Sequence, residues 1–267
     1  TLNSDGTPRD VTLNSPTTMF HGIVGGTSLL DVLTTDADGT TTIDTTAVSG
    51  AVLDFNDDVV ASQDTTLTGT TSTDFAKTLN SDATARDVTL NSPTTMFHGI
   101  VGGTSPLEVL TTDAAGTTTV DTTAVTGAVL DFNDDVVTTV ASTLTGTTLI
   151  DFAAGKSLTI GDAAAEALTV VGATANFNGT VDSGATFAND LTVNTTKALF
   201  GDQVGNQANG ALGTLWTDSA GTTTLSTDVV TGDTLSFDDD VVTTVASTLT
   251  GTTLVDFAAG KSLTIGD

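Results

Sequence analysis

The side chains of this chain that could do chemistry are mostly aspartates, and they recur in fixed words. FNDDVV at 55–60 and again at 132–137, and FDDDVV at 237–242, each set carboxylates side by side. Adjacent carboxylates repel, and a hard divalent cation that seeks oxygen ligands relieves the repulsion. Asp57, Asp58, Asp134, Asp135, Asp239 and Asp240 are therefore the candidate calcium ligands, and calcium is the one cofactor the sequence suggests. The competing reading of the same words is a solvated acidic corner between strands. DADG at 36–39 resembles half a calcium loop, but its internal copies read DAAG at 113–116 and DSAG at 218–221. The second carboxylate is dispensable, and a turn opened by Asp accounts for all three.

Other reactive types lead to bland readings. His21 and His98 follow Phe20 and Phe97 at matching places, while Gly201 follows Phe200 in the third copy, so the imidazole has a structural part at most. Asn178-Gly179-Thr180 and Asn194-Thr195-Thr196 have the form of glycosylation sequons, which a Thr-rich chain produces by chance. Cleavage of an acidic polysaccharide takes basic residues gathered in a cleft, and Arg9, Lys77, Arg86, Lys156, Lys197 and Lys261 are few and scattered. A Ser, His and Asp triad needs only to meet in space, and nothing singles one out. The sequence is expected to be no enzyme.

Composition bounds the elements that must carry these residues. The 267 residues hold 33 acidic against 6 basic side chains, a formal charge of −27, with no Cys, no Tyr and one Trp. Such a charge repels nucleic acid and anionic lipid, and no run is long and apolar enough to span a membrane. Thr makes up nearly a quarter of the chain. Together with Val it gives a β-branched composition that favours strands. Only GDAAAEAL at 161–168 has helix-friendly content, and it is too short to stand without tertiary support.

Internal repetition decides the organisation. The words beginning TLNSD at Thr1 return at Thr78, a shift of 77 that holds through AVLDFNDDVV and LTGTT. A third copy is recognised from Leu191, and residues 237–267 match 132–162 at a shift of 105 except at Asn133/Asp238 and Ile150/Val255. This gives a shortened repeat at 1–77, a full one at 78–190 and one cut off mid-unit at 191–267, read as one continuous array. The first copy omits about 28 residues while its flanks stay in phase. A closed sandwich would lose its core with such a deletion, whereas a solenoid loses whole coils and still stacks.

Within the repeat, Ala173, Ala175, Phe177, Gly179 and Val181 alternate with Thr174, Asn176, Asn178 and Thr180, the period of a half-buried strand. Phe55 and Phe75, Phe132 and Phe152, and Phe237 and Phe257 are each 20 apart. A coil of about 20 residues would stack each pair and make about five coils of the full repeat. The predicted fold is all-β, a parallel β-helix or β-solenoid; the alternative is tandem immunoglobulin-like sandwiches.

VGGTSPLEVLTTDAAGTTTV at 101–120, TLTGTT and ANFNGTV resemble the repeats of giant secreted bacterial proteins, the filamentous-haemagglutinin-like or β-strand-repeat adhesins. The resemblance covers nearly the whole chain and carries no catalytic word. It implies a right-handed parallel β-helix exported to the cell surface or beyond. The expected role is a stiff acidic rod, filament or surface-layer element, or else an adhesin stalk, with polysaccharide-active and ice-binding readings behind. Head-to-tail or lateral self-association is the expected partnership, with contact to a cell surface or polysaccharide. The absence of polar caps suggests that the array continues beyond this segment.

Overall fold

The computed structural model describes residues 1–266, and every element in it is a strand, a turn or a bend. In the helix-friendly word, residues 161–167 form a turn with Ala165 at a φ of 66° and Leu168 begins a strand. Contacts divide the chain into two compact units, Thr1–Asp134 and Asp135–Asp267. Each is a parallel β-solenoid with about 22 residues per turn. The expected coil of about 20 residues varies along the stack: Phe55 lies 20 residues below Phe75, Phe152 lies 25 below Phe177 and Phe177 lies 23 below Phe200. The spacing of 20 holds where the connections are tightest, and looser turns add residues without changing the strands. Sandwich modules are excluded, because the strands pair in parallel with the strand one turn away.

Each turn is laid down as three sides. In the first unit one column of stacked residues runs Leu2, Val24, Val48, Leu67, Leu90. A second runs Val11, Leu33, Leu53, Thr73, Thr95, and a third Thr18, Thr41, Val59, Leu79, Val101. The second unit repeats the plan with Leu168, Leu191, Leu215, Leu235 and Val255, with Ile150, Ala175, Ala198, Thr223 and Val241, and with Leu158, Val181, Val204, Val230 and Leu249.

The alternation read from the sequence holds along a side and slips at the corner. In Leu168–Phe177 the buried positions are Leu168 and Val170, then Ala175 and Phe177, with Ala173 exposed between the two pairs. An odd residue is spent turning from one side to the next. Glycine marks this corner because stacked turns come close there: a Cβ on Gly172 would lie 2.0 Å from the carbonyl oxygen of Gly146 one turn below. The interior is lined by Phe, Leu, Val and Ile, with phenyl rings stacked nearly parallel. Phe75 lies between Phe55 and Phe97 with centroids 5.3 and 5.6 Å away, and Phe177 between Phe152 and Phe200 at 5.3 and 4.8 Å. Such ring pairs add about 0.5–1.5 kcal/mol each beyond the area they bury.

Repeat and turn are not commensurate. Leu2 and its copy Leu79 stand in different columns, eleven sides apart, one short of four turns. Ile150 and its copy Val255 are fourteen sides apart, one short of five turns. The two repeat lengths differ by three sides, which is one turn. In the first unit Thr65–Phe75 is covered directly by Asp87–Asn91 and Thr94–Phe97, whereas its counterpart Ser142–Phe152 is covered first by Leu168–Phe177 and only then by Leu191–Phe200. The in-phase gap noted in the sequence is one coil plus a few residues of connection.

Removing residues 168–190, one turn by the Leu168 to Leu191 register, should leave a cooperatively unfolding β protein. Removing residues 168–179 alone should give a chain without a cooperative urea transition, because half a turn puts apolar positions on the wrong side. Circular dichroism and urea titration of both deletions check this.

Candidate functional site

The six candidate aspartates divide into two structural roles. In each copy the first of the pair is buried at a corner and faces two threonines of the previous turn. Asp57, fully buried, accepts hydrogen bonds from the hydroxyls of Thr35 at 2.7 Å and Thr41 at 2.8 Å. Asp134 accepts from Thr112 and Thr118 at 2.6 and 2.8 Å, and Asp239 from Thr217 and Thr223 at 2.8 Å each. The two threonines end one strand and begin the next, so the carboxylate plugs the corner between two sides. Asn56 and Asn133 reinforce it, each donating its backbone N–H to the same hydroxyl oxygen, of Thr35 or Thr112, at 3.0 Å. A buried carboxylate without such donors would cost far more than the hydrogen bonds return.

The DADG word is the connection across that corner. Gly39 has a φ of +141°, and a Cβ there would lie 2.5 Å from the carbonyl oxygen of Pro16, so glycine closes the turn. Lys77, two turns further on, donates its Nζ to the carbonyl of Ala37 in this turn, and Lys261 does the same to Ser219 at 2.7 Å. Burial pushes the carboxyl of Asp218 upward, with the neighbouring charge of Asp239 acting the same way and Lys261 opposing.

The second aspartate of each pair caps a strand start one turn on. Asp58 accepts from the amide and hydroxyl of Thr78, at 3.2 and 2.6 Å. Asp135 accepts from Ser157 at 2.7 and 2.9 Å, and Asp240 from Ser262 at 2.8 and 2.7 Å. These donors hold the carboxyl of Asp240 below the usual range. The paired aspartates thus serve different donors, and among the described residues no group of three or more His, Asp or Glu gathers as a metal centre would need.

The histidines tie successive turns on the outside. His21 Nδ1 donates to Asp44 at 2.9 Å, which holds the Asp44 carboxyl below its ordinary range. His98 Nδ1 donates to Asp121 at 2.8 Å, and its Nε2 lies 3.5 Å from Asp74, whose carboxyl burial raises. In the GTTT words Thr40 and Thr117 stack on Thr17 and Thr94, whereas Thr42 pairs with Met19 and Val60 and Thr224 with Leu199 and Val242. Asn194 has a buried Oδ1 with no hydrogen-bond partner, and the Nδ2 of Asn178 is given to Asp151 at 3.1 Å.

Sequence reasoning missed a second recurring device. Asn3 Oδ1 accepts the backbone N–H groups of Thr27 and Ser28 at 2.9 and 3.5 Å, and Asn80 Oδ1 those of Thr104 and Ser105 at 3.0 and 3.4 Å. The TLNS and VGGTS words recur together because one clamps the other a turn later. Asp182, in TVDS, takes the same seat beneath the loop that carries Gln207. The likeness of the third copy therefore extends upstream of Leu191. The co-occurrence of the two words about a turn apart was the available signal.

Replacing Thr118 by Val strands one oxygen of the buried Asp134 and should destabilise the fold by about 1–3 kcal/mol in urea unfolding. Burial raises the carboxyl of Asp134 above its ordinary value, so the folded state keeps a proton that the unfolded chain has released. The resulting stability is full below about pH 3.9 and is lost as pH rises through the raised folded value. Asp134→Asn should therefore gain on the natural protein as pH rises through that window, and a pH-independent difference between the two would contradict this. With all six carboxylates held by protein donors, the melting temperature should be unchanged by a chelator. No protein-family model matches this chain, and neither a curated protein nor a solved structure does.

Proposed function

We propose that the chain is a load-bearing segment of an extracellular repeat protein, a stiff acidic element of a filament, a surface layer or the stalk of a surface adhesin. One observation carries the reading: in each unit, strand lies on strand in parallel register through successive turns, with ring on ring inside. Backbone hydrogen bonds then run from turn to turn, along the direction in which a fibre is loaded. Polar groups with chemical potential are spent on this stacking, the inner aspartates on threonines and Lys77 and Lys261 on turn carbonyls. A role in mechanics rather than catalysis fits that allocation. The formal charge of −27 keeps like rods apart and disfavours nucleic acid, so association with other copies depends on specific contacts or on screening.

The resemblance of the repeat words to β-strand-repeat adhesins supports export to the cell surface. Pulling the protein between its ends in a force spectrometer should release it turn by turn. Each step of about 22 residues would lengthen the tether by roughly 75 Å at 3.3–3.6 Å per residue. Release of a whole unit in one event at low force would count against a load-bearing role.

A further inference from the structure

We propose that a cavity beside Asp182 binds a small organic ammonium group. The cavity, of about 320 Å³, lies on one side of the second unit, floored by Ser157, Thr159 and Thr180 and walled by the loop that carries Gln207. Asp182 is one of its lining residues, only 5% exposed.

Two local changes coincide here. The seat that Asp182 occupies is filled by neutral Asn3 and Asn80 in the other copies, where the amide oxygen suffices to clamp the loop above. That loop reads VGGTS in those copies and VGNQANG in the third, which is two residues longer. A charge was not needed for the clamp, and the longer loop makes room beside it.

The lining combines a buried carboxylate with hydroxyl-bearing side chains and the Gln207 amide. Asp182 Oδ1 takes the N–H of Gln207 at 3.1 Å, and the Ser157 hydroxyl donates to Asp135 at 2.9 Å. The N–H of Asn206 and the Thr180 hydroxyl also donate to Asp182. With their protons committed, the Ser157 and Thr180 hydroxyls retain lone pairs that can accept from a ligand. No lining side chain is basic, and the charge that bears on Asp182 is a further carboxylate, Asp202. Burial accordingly pushes the Asp182 carboxyl upward, and an incoming positive charge would reverse that penalty. One carboxylate with hydroxyls is too little for calcium, which takes six to eight oxygens. An ammonium group has three donors and matches a carboxylate flanked by hydroxyl acceptors.

The probe is methylammonium, titrated into the full chain at constant ionic strength and followed by amide NMR shifts. Saturable shifts at Thr180 and Gln207 are expected, weakened at least about tenfold by Asp182→Asn, a change of roughly 1.4 kcal/mol. Asn3 and Asn80 show that Asn satisfies the clamp, so this variant should fold. Thr159→Val, outside the clamp, should weaken binding while leaving the melting temperature unchanged. Tetramethylammonium, with no N–H to donate, should not produce the shifts. Equal response to it, equal binding by Asp182→Asn, no weakening by Thr159→Val, or calcium binding in place of methylammonium would each overturn the assignment.

Discussion

Parallel pairing in register is the constraint on which the rest depends. When a strand lies on the strand one turn below, each side chain rests on the side chain at the same place in that turn. A buried position must therefore be good company for its own kind. Phenyl rings meet this condition by stacking offset, and Val, Leu and Ile do so by shape, which is why these four make up most of the apolar interior, with buried threonines in the same columns. The glycines at the corners answer to close approach: a Cβ on Gly172 would meet the Gly146 carbonyl one turn below, and one on Gly146 would meet Leu149 and Ile150 of its own strand.

The same constraint explains how so acidic a chain folds with few cations. Pairing 33 carboxylates with 6 basic groups is impossible, and the basic groups are not all used that way. Arg86 pairs with Asp82 at 2.9 Å, but Lys77 and Lys261 go to turn carbonyls. Hydroxyls take over the work of counter-ions. Register puts threonines of one turn around the aspartate of the next, so the most deeply buried carboxylates are solvated by the protein's own O–H groups. The abundance of Thr thus has an interior purpose as well as a strand-forming one.

Much of the architecture was legible in the sequence because the solenoid writes its period there. The spacing from Phe55 to Phe75 and the in-phase gap of the first copy both follow from turns being interchangeable. The visible spacing of 20 came from the tightest connections, while Phe152 to Phe177 includes a longer loop. Alternation through Ala173 misled for a related reason: the corner consumes a residue, and period two has no symbol for a bend. The candidate aspartates were found, but their neighbours were not. Thr35 and Thr41 are distant from Asp57 along the chain and become adjacent only once the turn length is known. The Asn3 and Asn80 clamps stayed hidden likewise, since an amide that accepts backbone N–H groups looks like any loop asparagine.

The mismatch between repeat and turn works as a vernier. Near-identical words could invite a chain to pair with its own duplicate, a common hazard of tandem sequences. Here a segment that sought its twin would have to leave its own column for that of an adjoining wall, out of step with the turns on either side. Duplication could therefore lengthen the protein without making its folding ambiguous.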